Sequence, residues 1–268
     1  MDTRTNFIRR FTFVLSLALA TASGYAQSTN NDFTPYSGQA GKDVVWVPTP
    51  QELVDTMLAM AKVTSADYVI DLGSGDGRLV ITAAKRGAKA LGIEYNPDMV
   101  ELAKRASIEE GVSERAKFEK ADLFETDFSK ATVITMFLLS EINMKLRPKI
   151  LDMKPGTRIV SNTFDMGDWE PDQETRLTDS DWNTALLWIV PAKVDGTWYF
   201  HGGQVKITQK FQYISGTLTI ENEVIEFTGK LNGNKVSING GGMDFSGTVS
   251  GNTMWGTHAE FGSWEATR

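Results

Sequence analysis

One segment limits what this chain can fold into more than any other. Residues 69–78 read Val-Ile-Asp-Leu-Gly-Ser-Gly-Asp-Gly-Arg. The apolar run over 68–72 predicts a strand, and it carries an acid, Asp71, into a turn with glycine at alternate positions. Gly73, Gly75 and Gly77 can take the left-handed conformation, and they let backbone N–H groups come close to a ligand. A helix predicted over 79–85 presents its N-terminus to the same turn, where a carboxylate or phosphate is favoured. The dinucleotide-binding form of this turn needs a glycine where Arg78 stands.

Beyond the turn, strands alternate with helices. Residues 90–94 predict a second strand and 97–110 a helix, with Asn96 as cap, Pro97 at its first position and Gly111 as its stop. Residues 116–121, 132–138 and 158–163 predict three more strands, and 141–153 a helix that Pro148 should kink or divide. Upstream, Thr49-Pro50-Gln51-Glu52 has the form of a helix start capped by Thr49. Two closing, antiparallel strands are expected over 174–177 and 185–190. Such alternation implies a doubly wound, mostly parallel, Rossmann-like seven-stranded sheet.

Near Pro191 the pattern changes. Short alternating runs at 205–208, 217–220, 224–227 and 235–238 are separated by turn signals at Glu221-Asn222, Asn232-Gly233, Asn239-Gly240 and Ser250-Gly251-Asn252. About eight such strands suggest a small antiparallel all-β domain, either a barrel or a sandwich. The triplet Gly196-Thr197-Trp198 weakly resembles the opening of lipocalin-like barrels.

Two further predicted strands end in acids: Glu94 closes the second, and Asp122, followed by Leu123, closes the third. An acid in the first of these places can accept from both ribose hydroxyls, and one in the second from an adenine amino group. With the turn spacing, three acids at consecutive strand ends favour S-adenosylmethionine (SAM) over NAD.

On these residues the chain resembles the class I, seven-strand SAM-dependent methyltransferases. Val47-Pro48-Thr49-Pro50, Leu123-Phe124-Glu125-Thr126-Asp127-Phe128, Leu146-Arg147-Pro148-Lys149 and Ser161-Asn162-Thr163-Phe164-Asp165-Met166 are similar to a narrower group. That group includes bacterial proteins and the mitochondrial protein-lysine methyltransferases acting on the ATP synthase c-subunit and the adenine nucleotide translocase. The resemblance covers roughly half of the chain. It implies that Asp71, Gly73, Ser74, Gly75, Asp76 and Gly77 hold the methionine part of SAM, Glu94 the ribose, and Asp122 with Leu123 the adenine. Residues 47–49 would cover the site, with Thr49 against the cofactor carboxylate. The end of the fourth strand should face the methyl group, which makes Glu141 and Asn143 candidates for positioning the acceptor; a helix cap and a first-turn acid are the plainer reading of both. The implied substrate is a protein lysine or a small amine. A lipid or small-molecule methyltransferase is an alternative, as is a SAM-binding or degenerate methyltransferase-like module whose β domain binds an envelope ligand or a protein. Trp169, Trp182 and Trp188 could build an acceptor pocket, although aromatic residues more often build core.

Composition narrows the partners. A formal charge of -7 offers phosphate backbones no long-range attraction, so nucleic acid is not expected. The absence of cysteine excludes disulfides and thiolate metal sites, and two histidines make a His-based metal cluster unlikely, so no metal is expected. Arg4, Arg9 and Arg10 precede an apolar run over 11–20, and small residues lead to Ala26. This is the pattern of a secretory signal peptide over 1–26, with an exported, periplasmic or secreted product. An uncleaved membrane tether is the alternative; after cleavage no membrane-spanning segment is expected. The expected division is therefore a signal peptide (1–26), a flexible lead-in (27–43), a methyltransferase domain (44–192) and a β-barrel-like domain (193–268).

Overall fold

The computed structural model describes residues 33–177, 181–221, 223–258 and 262–268. The expected signal peptide and the first residues of the expected lead-in lie outside these. From Phe33 to Arg268 the chain forms one compact unit.

The first half carries helix α1 (Gln51–Met60), strand β1 (Tyr68–Leu72), α2 (Arg78–Lys85), β2 (Lys89–Glu94), α3 (Pro97–Glu109), β3 (Ala116–Lys120), β4 (Val133–Met136), α4 (Ser140–Leu151), β5 (Arg158–Asn162), β6 (Gln173–Arg176) and β7 (Thr184–Ile189). The strands form one seven-stranded sheet in the order β3-β2-β1-β4-β5-β7-β6. β3 to β5 are parallel, and β7 runs antiparallel to both β5 and β6. Side chains alternate across the strands and divide the core in two. Val69, Val133, Val160 and Leu187 face α1, α2 and α3. Ile70, Ile134, Ile159 and Trp188 face α4, through Ile142, Leu146 and Ile150. Each such side chain, fully buried, contributes about 1.5–3 kcal/mol, which explains why near-continuous apolar strands are stable only between helix layers.

The predicted cap of α3 is present: the Asn96 side chain accepts from the Asp98 amide at 2.9 Å. Two expectations are corrected. Thr49 does not cap α1, whose N-cap position is Pro50; the Thr49 hydroxyl instead accepts from Asn162 Nδ2 at 3.4 Å. Pro148 does not divide α4, which is continuous from Ser140 to Leu151. The amide it lacks would have paired the Met144 carbonyl, and both residues lie on the exposed side of the helix, where water can substitute.

The second half is a closed eight-stranded antiparallel barrel. It comprises β8 (Gly196–Phe200), β9 (Gly203–Lys210), β10 (Tyr213–Ile220), β11 (Glu223–Asn232), β12 (Lys235–Gly240), β13 (Met243–Ser250), β14 (Thr253–His258) and β15 (Gly262–Thr267). Trp198, of the weak opening triplet, is fully buried and donates its indole N–H to the Val194 carbonyl at 2.7 Å. The expected turn at Asn239-Gly240 lies one step later. Asn239 and Gly240 are still paired in the ladder, and Gly241-Gly242, both at positive φ, make the reversal.

Candidate active site

The carboxyl ends of β1, β2 and β4 open into one cleft, and the glycine turn is pinned across it. The amides of Gly73 and Ser74 both donate to the Ile93 carbonyl, at 2.9 and 3.0 Å. The Gly75 amide donates to Glu94 Oε2 at 3.0 Å, and the Asn96 amide to Oε1 at 2.9 Å. Glu94 is thus held in place by backbone from both sides.

Asp71 is the most perturbed group of the cleft. It is buried, and its Oδ1 accepts from the Thr135 hydroxyl at 2.7 Å. Burial pushes its pKa up to about 7; the Thr135 hydrogen bond opposes that shift, and the nearby Glu94 and Asp76 carboxylates add to it. Asp122, at the third strand end, moves the other way. An ion pair with Lys42 and the Phe124 amide at 2.9 Å hold its carboxyl below the usual carboxylate range.

Asp71, Glu94 and Asp122 line the same cleft, together with Thr49, Gly73, Ser74, Gly75, Asp76 and Leu123. Gly77 does not line it. At φ 83° it sits behind the turn, where an added Cβ would lie 2.7 Å from the Phe118 ring, so packing explains this glycine. Nor do Glu141 and Asn143 line the cleft; Ile142 between them does. Glu141 is exposed, whereas Asn143 is fully buried and donates to the Phe164 and Asp165 carbonyls, both at 3.0 Å. Any part Asn143 plays toward an acceptor is therefore indirect. Trp169 and Trp188 are fully buried core and Trp182 is exposed, so the three tryptophans do not assemble a pocket.

Several lining residues carry no local signal in the sequence. The stretch expected to be a free lead-in folds over the cleft from residue 39 onward, pinned by the Gln39–Trp46 bridge and by Lys42 on Asp122. Arg78 ties this strap down: its guanidinium donates to the Thr49 carbonyl at 2.7 Å and to both Asp76 oxygens. Phe137, beyond β4, forms the far wall. Of the strap, only residues 47–49 were expected to cover the site; nothing local pointed to residues 39–46 or to the part played by Arg78.

Known proteins that resemble this chain agree with that geometry. Residues 71–173 match the family described as the ANTKMT methyltransferase domain. A protein-lysine N-methyltransferase of Saccharolobus islandicus is 44% identical over 151 residues, which are 55% of this chain and 94% of that protein. The chain belongs to this methyltransferase family. The ATP synthase c-subunit lysine N-methyltransferase of Homo sapiens is 32% identical over 145 residues, 53% of this chain and 62% of that methyltransferase. Among solved structures, an RNA methyltransferase from Salinibacter ruber in complex with S-adenosyl-L-homocysteine is 45% identical. It superposes with a TM-score of 0.52 over 55% of this chain and 96% of its own. The methyltransferase fold accounts for the sheet and the glycine turn. Among the described residues no helix is long and apolar enough to cross a membrane, and no group of acids and histidines could hold a metal.

Proposed function

We propose that the chain binds SAM in this cleft and methylates the side-chain amine of a protein lysine. The observation that carries the reading is the convergence of Asp71, Glu94 and Asp122 on one glycine-lined cleft. The donor set suits SAM. Acids beside the turn complement its ammonium and sulfonium charges, while Glu94 is braced to accept from vicinal hydroxyls. The Asp71 carboxylate, buried at the cleft with its charge opposed by burial and by the nearby Glu94 and Asp76 carboxylates, is the group that a cationic ligand would relieve. Thr49 would meet the carboxylate, Gly73 to Asp76 the methionine portion, and Leu123 one face of the adenine.

When bound, SAM supplies a sulfonium methyl, which leaves a neutral thioether as the acceptor nitrogen takes the charge and releases its proton to water. The protein's task is alignment and exclusion of water. The half-buried Phe137 and the buried Leu138 and Ile142 line the side that an acceptor would use. Apolar walls favour the neutral, nucleophilic form of an amine.

Two similar relatives carry different acceptor names, lysine and RNA. The acidic balance of the chain favours lysine, because an RNA substrate calls for a basic surface. Transfer of labelled methyl from SAM onto a cell extract decides the matter. Label in protein, recovered as methyl-lysine after hydrolysis and resistant to ribonuclease, is expected. Label confined to RNA, or binding of SAM with no transfer to any fraction, overturns the reading. The leader over residues 1–26 belongs to the same proposal, and a purified protein whose N-terminus begins at Met1 overturns that part.

A further inference from the structure

Among the described residues, Thr163 is one of five non-glycine residues at positive φ (61°), and the one of them that directly follows a strand of the seven-stranded sheet, β5. A β-branched residue there costs of order 1–3 kcal/mol and persists only where its surroundings over-determine it. They do. The Thr163 amide donates to the Thr184 carbonyl at 2.7 Å, and its hydroxyl to Asn162 Oδ1 at 2.8 Å. The next residue, Phe164, is gripped still harder. Its amide donates to the Asn162 carbonyl at 2.7 Å, and its carbonyl accepts from the Ser161 hydroxyl at 2.7 Å and from Asn143 Nδ2 at 3.0 Å. The strain and the hydrogen bonds serve to place one half-buried ring, which stacks on Phe137 with centroids 5.9 Å apart and planes 27° apart. Phe137 lines the cleft.

We propose that Phe164 and Phe137 form the acceptor subsite, a fixed aromatic wall along which the four-methylene arm of a lysine lies on its way to the methyl group, with Asn143 and Thr163 as positioning residues that act through Phe164. This rests on the SAM reading of the cleft. Phe164 does not itself line the cofactor cleft, so it can change acceptor binding without touching the cofactor. The acids at the same edge, Asp165 beside Phe164, Glu141 at the start of α4 and Asp43 in the strap, are exposed. They attract the protonated amine before the apolar wall strips its water, and they repel a phosphate backbone. Asn162 joins the wall to the cofactor side, because its amide donates to the Thr49 hydroxyl.

The test needs no knowledge of the natural acceptor. Two S-adenosylhomocysteine analogues with nitrogen in place of sulfur, one bearing a methyl and the other a 4-aminobutyl arm, are titrated calorimetrically into the full chain. The butyl arm should bind the wild type about tenfold or more tightly than the methyl analogue, from the burial of its methylenes. Phe164→Ala should remove most of that gain while leaving the methyl analogue within about threefold. Thr163→Gly keeps the backbone accessible and removes the strain, so it should lower the arm's gain without lowering Tm, which a merely structural residue would not do. Absence of any gain in the wild type, or a gain that survives Phe164→Ala, overturns the subsite. An analogue whose arm ends in a planar base and gains as much reassigns the wall to base stacking, and so overturns it too. Failure of the methyl analogue to bind at all rejects the SAM reading instead, and the subsite with it.

Discussion

Asp71 is a carboxylate kept where an apo protein would be better without its charge. Its folded pKa of about 7 lies above the ordinary 3.8. Between those values the folded state holds a proton that the unfolded state has released, so this group's contribution to stability falls as pH rises through that window and is fully lost above about pH 7. Asp71→Asn keeps an acceptor for the Thr135 hydroxyl and removes the buried charge. At pH 8 the ligand-free variant should therefore be more stable by about 1–3 kcal/mol in urea unfolding. Its affinity for SAM should drop at least about tenfold, because the carboxylate that meets the cationic ligand is gone. The wild type's affinity should rise with pH up to about 7, and binding below that should release a proton, visible by calorimetry in buffers of different ionisation enthalpy. A variant less stable than wild type at pH 8 would show that Asp71 is held by interactions that outweigh its burial. The motif that announced Asp71 was legible because it is local: a strand, an acid and three glycines within ten residues of sequence. The burial that shifts its proton was not legible, since it comes from elements packed around β1 and not from the motif itself.

At the scale of elements, the strands and the first three helices were readable because their periodicities and caps are written within single segments. The errors share one main cause. Pro148 apart, whose missing hydrogen bond falls on the solvent side of α4, Thr49, Asn143 and the strap each answer to a distant partner. Thr49 is engaged by β5, and Asn143 by the loop after β5. Within the strap, Gln39 is buried and its amide reaches the Met99 sulfur at 3.7 Å, a contact spanning 60 residues that no local composition foretells. Trp46 is the strap's main apolar contact with the glycine turn. Its indole nitrogen lies 2.4 Å from where a Cβ on Gly75 would be, which shows how closely the ring sits on that glycine. Trp46→Ala should open the covered cleft without disturbing the sheet. The expected result is SAM dissociation faster by about tenfold in stopped-flow measurements, with Tm lower by no more than a few degrees. Unchanged dissociation would show that the strap is a bystander to the cofactor.

For the whole molecule, the change of texture at Pro191 correctly announced a second, all-β part, but not how tightly it is joined to the first. Gln212, fully buried just before β10, donates to the Glu170 carbonyl at 2.8 Å. The Phe211 ring stacks on Trp169 at 5.8 Å, the Arg147 guanidinium lies over that ring, and Lys230 pairs with Asp172 at 3.0 Å. Apart from Arg147 on α4, the partners in the sheet domain, Trp169, Glu170 and Asp172, fall on the loop between β5 and β6, and that loop also contains Phe164. The cleft, by contrast, is lined wholly by residues between Gln39 and Ile142. A chain ending at Pro191 therefore separates two roles. It keeps every residue assigned to the cofactor, so its affinity for SAM should stay within about threefold. It exposes the Trp169 face and leaves the Glu170 carbonyl without the Gln212 amide, so Tm should fall by several degrees, at roughly 2–4 °C per kcal/mol lost. Methyl transfer to protein should fall far more than SAM binding, because the loop that carries the acceptor wall loses its outer support. Equal loss of both would mean that the barrel stabilises the whole molecule indiscriminately. Full activity in the shortened chain would assign the barrel to some task apart from methyl transfer.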